Sequence, residues 1–181
     1  MHATIGRLVA MMPPPATRPT AEPWHLAPGE VGFRFPDDYR DFTDLYGSGL
    51  INDKLLIWTP SLKWGTVREG DAREGFTALA AGPPSGLGDY VAELHEDEPD
   101  ENPYPMYPDE GGLLAWGNTY SANHFFWLTG EPDPNTGPVI AWNRSGDWHR
   151  FKGGFGDFLT DGSDGASASA SAAGSVDDMS G

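Results

Sequence analysis

A chain of 181 residues is long enough to bury one real core and too short for two large domains. It has no cysteine, which excludes a disulfide framework, a thiolate metal site and a cysteine nucleophile, and favours a reducing compartment. Its 27 acidic against 11 basic residues, a formal net charge of −16, disfavour nucleic acid and anionic membrane as partners.

Residues 1–21 read as an unstructured leader, because Pro13-Pro14-Pro15 and Pro19 break any regular element. The apolar patch between Met1 and Met12 carries a single Arg7 and is too short for a signal peptide. No run approaches the length of a membrane span, so a cytoplasmic location is expected. Pro36 followed by Asp37 and Asp38 opens a helix: proline is pre-set for the first turn, and the carboxylates favour the positive end of the dipole. Tyr39, Phe42 and Tyr46 fall at helical spacing with Asp41 and Asp44 facing outward, and Gly47 and Gly49 stop the helix. Leu55-Leu56-Ile57-Trp58 is a short strand closed by Pro60. A weaker helix runs from about 66 to 80, interrupted by Gly70 and Gly75.

Pro83-Pro84-Ser85-Gly86 then breaks the chain before a better helix, in which Leu87, Tyr90, Val91 and Leu94 form one apolar stripe. The acidic, proline-punctuated stretch 96–110 reads as a loop. Strands follow at about 113–117, 123–128, 138–142 and 147–151, with Asn143-Arg144-Ser145-Gly146 as the clearest hairpin connection. Phe125 and Trp127 point to one side of their strand, Phe126 and Leu128 to the other, so both faces of the sheet need cover. Phe155 to Leu159 closes the chain as a short helix. Beyond it, 161–181 is almost wholly Gly, Ala, Ser and Asp, too poor in apolar surface to offset chain entropy, and reads as a disordered tail. The expected fold is α+β: one domain over 22–160, with a mainly antiparallel sheet of about five to six strands packed against helices.

Charge is distributed unevenly. Between Arg73 and Arg144 there is no Lys or Arg, while the same interval holds twelve carboxylates. Such a field accelerates encounter with a basic partner; it is equally the signature of a solvated face that aids solubility.

Residues arranged for catalysis are not visible. No serine sits in a Gly-x-Ser-x-Gly frame, and no phosphate-cradling glycine pattern follows a strand. His95-Glu96 lacks the second histidine of a helical zinc motif. The five histidines stand singly, without ligand spacing. Asp97, Asp100 and Glu101 lack the spacing of a calcium loop. A hydrolytic carboxylate pair could be drawn from many acids, so no pair stands out. Of the seven tryptophans, those at alternate strand positions are core before they are a sugar platform. No cofactor or metal is expected.

The order of signals resembles the SUKH superfamily, which includes the yeast cell-wall assembly regulators Smi and Knr. Phe35-Pro36-Asp37-Asp38-Tyr39-Arg40-Asp41-Phe42 with Tyr46-Gly47-Ser48-Gly49 is similar to that family's Leu-Pro-x-x-Tyr-x-x-Phe and glycine block. Gly112-Leu113-Leu114-x-Trp116-Gly117-x-Thr119 resembles its central strand, and Phe126-Trp127-Leu128-Thr129-Gly130-x-Pro132-Asp133 the next. Trp148-x-x-Phe151-x-x-x-Phe155-x-x-Phe158-Leu159 resembles its closing strand and helix. Phe35 stands where leucine is usual, and Asn123-His124 where many members have Gly-Asp. The proline-rich approach to Pro36 implies a first helix reduced to 22–32.

The resemblance implies a non-catalytic binding protein, similar to bacterial immunity proteins that neutralise a cognate toxin, often a nuclease, by occlusion. A rival is a regulatory or scaffolding module without a toxin; a third reading is a hydrolase with an unidentified carboxylate pair. The expected partner is a basic protein, and the residues expected to engage it are Glu96, Asp97, Glu98, Asp100, Glu101, Asp109 and Glu110.

Overall fold

The computed structural model describes residues 1–61, 72–82, 86–143 and 145–161. The tail beyond Asp161, the first part of the helix expected over 66–80, and Arg144 of the hairpin connection lie outside the described residues.

A six-stranded antiparallel meander, in which each strand pairs with the next in sequence, forms the centre of the α+β domain. Its strands are β1 (Gly49–Ile51), β2 (Leu55–Ile57), β3 (Leu113–Thr119), β4 (His124–Leu128), β5 (Val139–Trp142) and β6 (Trp148–Phe151). The register sets Leu114, Trp127, Val139 and Phe151 side by side on one face, and Ala115, Phe126, Ile140 and Arg150 on the other. A register shift between Ala115 and Gly117 inserts Trp116 as the extra residue. Its fully buried ring then packs with Phe125 (5.3 Å between centroids) and edge-on to Phe155 (4.9 Å).

Helices cover the first face. α1 (Ala3–Met11), α3 (Asp37–Tyr46) and α6 (Phe155–Asp161) pack on one another there, and α2 (Ala27–Val31) packs on α4 (Ala72–Ala81). α3 forms where its sequence requires: Pro36 sits at the N-cap, and the chain leaves the helix at Gly47, whose φ of 71° costs an L side chain dearly. Tyr39 and Phe42 carry its buried stripe. The core they enter is aromatic, with Trp127 edge-on to Tyr39 at 4.7 Å, and Phe155 touching Tyr39, Phe42 and Trp127. Phe158 is only half-buried, against Trp116, Phe125 and Phe151 at the rim.

Residues 1–21 depart from the expected leader. The prolines at 13–15 do interrupt the chain, but only after α1 has buried Ile5 and Leu8. Those side chains, three residues apart, share one helical face, and that face packs against α6 and α3. The Tyr46 hydroxyl donates to the Met12 carbonyl at 2.5 Å, pinning the helix exit. Apolar burial therefore decides where local breakers suggested disorder. Leu8→Ala should cost roughly 2–5 kcal/mol, the range for a buried leucine, read as a lower urea midpoint; an unshifted midpoint would show that α1 is not part of the cooperative unit.

Asp38 ties these helices together. It is 5% exposed, and its carboxylate accepts from Tyr39 N and Gly156 N, both at 2.7 Å, so it caps α6 from α3. Only glycine fits at 156, where a Cβ would lie 2.1 Å from Thr4 Oγ1. Burial pushes the Asp38 carboxyl above the usual carboxylate range, against the two N–H bonds, which lower it. Burial raises Glu22 too, with Ser61 donating to it. A carboxyl raised on folding adds stability below its unfolded pKa and forfeits it as pH rises through the folded value. The urea midpoint should therefore rise as pH falls from neutral towards the ordinary carboxylate range, and Asp38→Asn should flatten that rise. Identical slopes in the two proteins would remove Asp38 from the titration.

Candidate functional site

The second face of the sheet is covered by α5 (Leu87–Asp97) and by the chain that follows it. Leu87 and Val91 are buried under α5, while Asp89, Tyr90, Glu93, Glu96 and Asp97 are exposed. The helix extends through Glu96 and Asp97, where the acidic, proline-punctuated sequence predicts a loop. Carboxylates at a helix C-terminus oppose the dipole, but here Leu94 packs on the core and His95 supplies a bond of its own. His95 Nδ1 lies 2.6 Å from the Asn102 carbonyl; a carbonyl only accepts, so Nδ1 carries the proton.

Asn102 is the fixed point of the stretch. It is 5% exposed amid five exposed carboxylates, and its Oδ1 accepts from Trp148 Nε1 at 3.2 Å. Its backbone N donates to the Glu98 carbonyl at 2.9 Å. Tyr104 then packs edge-on to Trp148 at 5.5 Å. Further along, Pro105 and Tyr107 exchange backbone bonds with Leu113 at 2.8 and 3.0 Å, and the Tyr107 hydroxyl donates to the Val31 carbonyl. Residues 98–110 therefore form a strap crossing the sheet from the β6 start to the β3 start, held by the buried Asn102 and the half-buried Tyr104 and Tyr107. Sequence reasoning found the acids but not Asn102, whose partner lies 46 positions away.

All seven expected carboxylates are exposed. Glu96, Asp97, Glu98, Asp100 and Glu101 gather at the α5 end of the strap, and Asp109 and Glu110 occupy the turn before β3 at its other end. They form two acidic groups, one at each end of the strap. Among the described residues none of the seven is in an ion pair. The acids of α3 differ: Asp37 pairs with Arg34 and Arg40 at 2.9 and 3.4 Å, and Asp41 with the N-terminal amine at 3.8 Å. Asp37, Asp41 and Asp44 line a pocket of about 310 Å³ with Met1, His2 and Arg40, where Arg40 and the N-terminal amine pair with Asp37 and Asp41.

Neither raised carboxyl is placed for hydrolysis: Asp38 is held by two backbone donors and Glu22 by Ser61. Among the described residues no cluster of three or more His, Asp or Glu could hold a metal ion, and no helix is long and apolar enough to cross a membrane. His124 is half-buried between Trp142 and Trp58, at 5.9 and 6.5 Å, and burial lowers its pKa. Asn123 closes the β3–β4 turn, its N donating to Thr119 Oγ1 at 3.2 Å. At the two positions where the resemblance leads one to expect Gly-Asp, this chain therefore has a turn closure and an aromatic contact.

The family model described as SUKH_6, SMI1-KNR4 cell-wall, matches residues 22–159. No curated protein and no solved structure matches the chain significantly.

Proposed function

The chain belongs to the SMI1-KNR4 (SUKH) family, and from that premise we propose that it is a non-catalytic protein-binding domain of the immunity type, which neutralises a basic toxin domain in the cytoplasm by covering its working surface. One observation carries the reading: five exposed carboxylates lie on a structurally pinned strap and two more at the end of α5 beside it, none of them in an ion pair among the described residues, while Asp37 and Asp41 of α3 are ion-paired. A nuclease must present positive charge to hold nucleic acid, and an acidic inhibitor competes for that surface with steered association. The strap offers carboxylates at a fixed spacing, which lowers the ordering cost of docking.

The test is survival of cells co-expressing the full chain with each toxin domain encoded beside its gene. Rescue from one such toxin is expected, together with a complex that co-elutes. No rescue from any neighbouring toxin would overturn the immunity reading in favour of a regulatory module within the same family.

A further inference from the structure

Tyr90 departs from its expected place. At the edge of the apolar stripe of α5 it should be buried with Leu87 and Val91, yet it is 50% exposed. One edge of its ring rests on Trp142, with centroids 6.0 Å apart at 60°, so the ring is held in place. Beneath it Trp142 is only 8% exposed, and its Nε1 has no hydrogen-bond partner. Asp89 stands beside Tyr90, and Glu93 and Asp97 follow three and seven positions on, the spacing that puts residues on one helical face. The other exposed tyrosine, Tyr120, is 76% exposed on the β3–β4 turn but is flanked by Thr119, Ser121 and Ala122.

Resting on the basic-partner reading above, we infer that the outer face of α5 is the specificity-determining part of the interface: the exposed Tyr90 ring receives an arginine side chain of a basic protein partner, and Asp89, Glu93 and Asp97 surround the guanidinium. The chemistry is complementary on both counts. An aromatic face attracts a cation through its quadrupole, and arginine stacks on it better than lysine does. Exposed tyrosine at the centre of a polar ring is also the composition of interface hot spots. The strap supplies long-range attraction, which any cation satisfies; Tyr90 supplies discrimination between cations.

The test uses the full chain, isotope-labelled for amide NMR, titrated with decapeptides of alternating Gly-Arg, Gly-Lys and Gly-Glu at about 0.15 M salt. The expected result is perturbation of α5 amides, tighter binding of the Arg than of the Lys peptide, and no binding of the Glu peptide. Tyr90→Ala should weaken the Arg peptide roughly two- to fivefold and equalise it with the Lys peptide, while Tyr90→Phe keeps the preference. Undisturbed spectra elsewhere in the variants establish that they fold; a variant that loses its fold is replaced by Tyr90→Gln. Unchanged Arg binding in Tyr90→Ala, or perturbations centred on the Asp37–Asp44 pocket, overturns the inference and leaves the basic-partner reading standing. If neither basic peptide binds better than the acidic one, both fall.

Discussion

Trp127→Ala should lower the stability of the domain by about 3–5 kcal/mol, the range for a large aromatic truncated in a packed interior. The residue is 1% exposed and touches rings from four separate stretches: Phe33 and Phe35, Tyr39, Trp116, and Phe155. Its Nε1 has no hydrogen-bond partner, so truncation leaves no donor or acceptor newly orphaned. The loss is therefore one of packing and apolar burial alone. Trp127→Phe separates the two contributions. It keeps most of the ring contacts and removes an unsatisfied N–H, whose burial costs about 1–3 kcal/mol. The phenylalanine variant should accordingly sit much nearer the parent than the alanine one, in urea midpoint at constant slope. Equal losses in the two variants would mean that the indole N–H has a partner, or that Trp127 lies outside the core.

The same position explains why part of this fold is legible in sequence. β3 to β6 and α6 announce themselves through period-two aromatics and close breaks, and α3 through Pro36 and Gly47; these are local signals that burial reinforces. β1 was missed because Gly49 serves both as the expected helix stop and as the first residue of a strand. The turn after it, with Asn52 and Asp53 at φ 51° and 55°, is a hairpin signal of recognised type, but only three residues stand on its far side. α1 was missed because its stability is tertiary, through Ile5 and Leu8, and the prolines outweigh a nine-residue helix in any local reading. The candidate surface divides the same way. Its charge can be counted from the sequence, whereas the order of the strap depends on Asn102 meeting Trp148, and the exposure of Tyr90 on how α5 sits over Trp142.

That division between charge and scaffold yields the largest functional effect. Reversing Glu98, Asp100, Glu101, Asp109 and Glu110 to lysine moves the formal net charge from −16 to −6, since each reversal adds two charges. All five are exposed, and none is ion-paired among the described residues. The strap is held instead by Asn102, Tyr104 and Tyr107, so the melting temperature should stay near that of the parent. Single reversals should do little, because one exposed charge is worth at most about 1 kcal/mol. Together they should slow association with the partner toxin on the order of tenfold or more at low salt. The salt dependence of the on-rate should flatten, and dissociation should change less, because steering acts on encounter and the close contacts at α5 remain. Stopped-flow association at two ionic strengths separates these terms. An on-rate that ignores the five reversals would reduce the strap to a solvated face, and would move the toxin's docking surface to the helices or the free edge of the sheet.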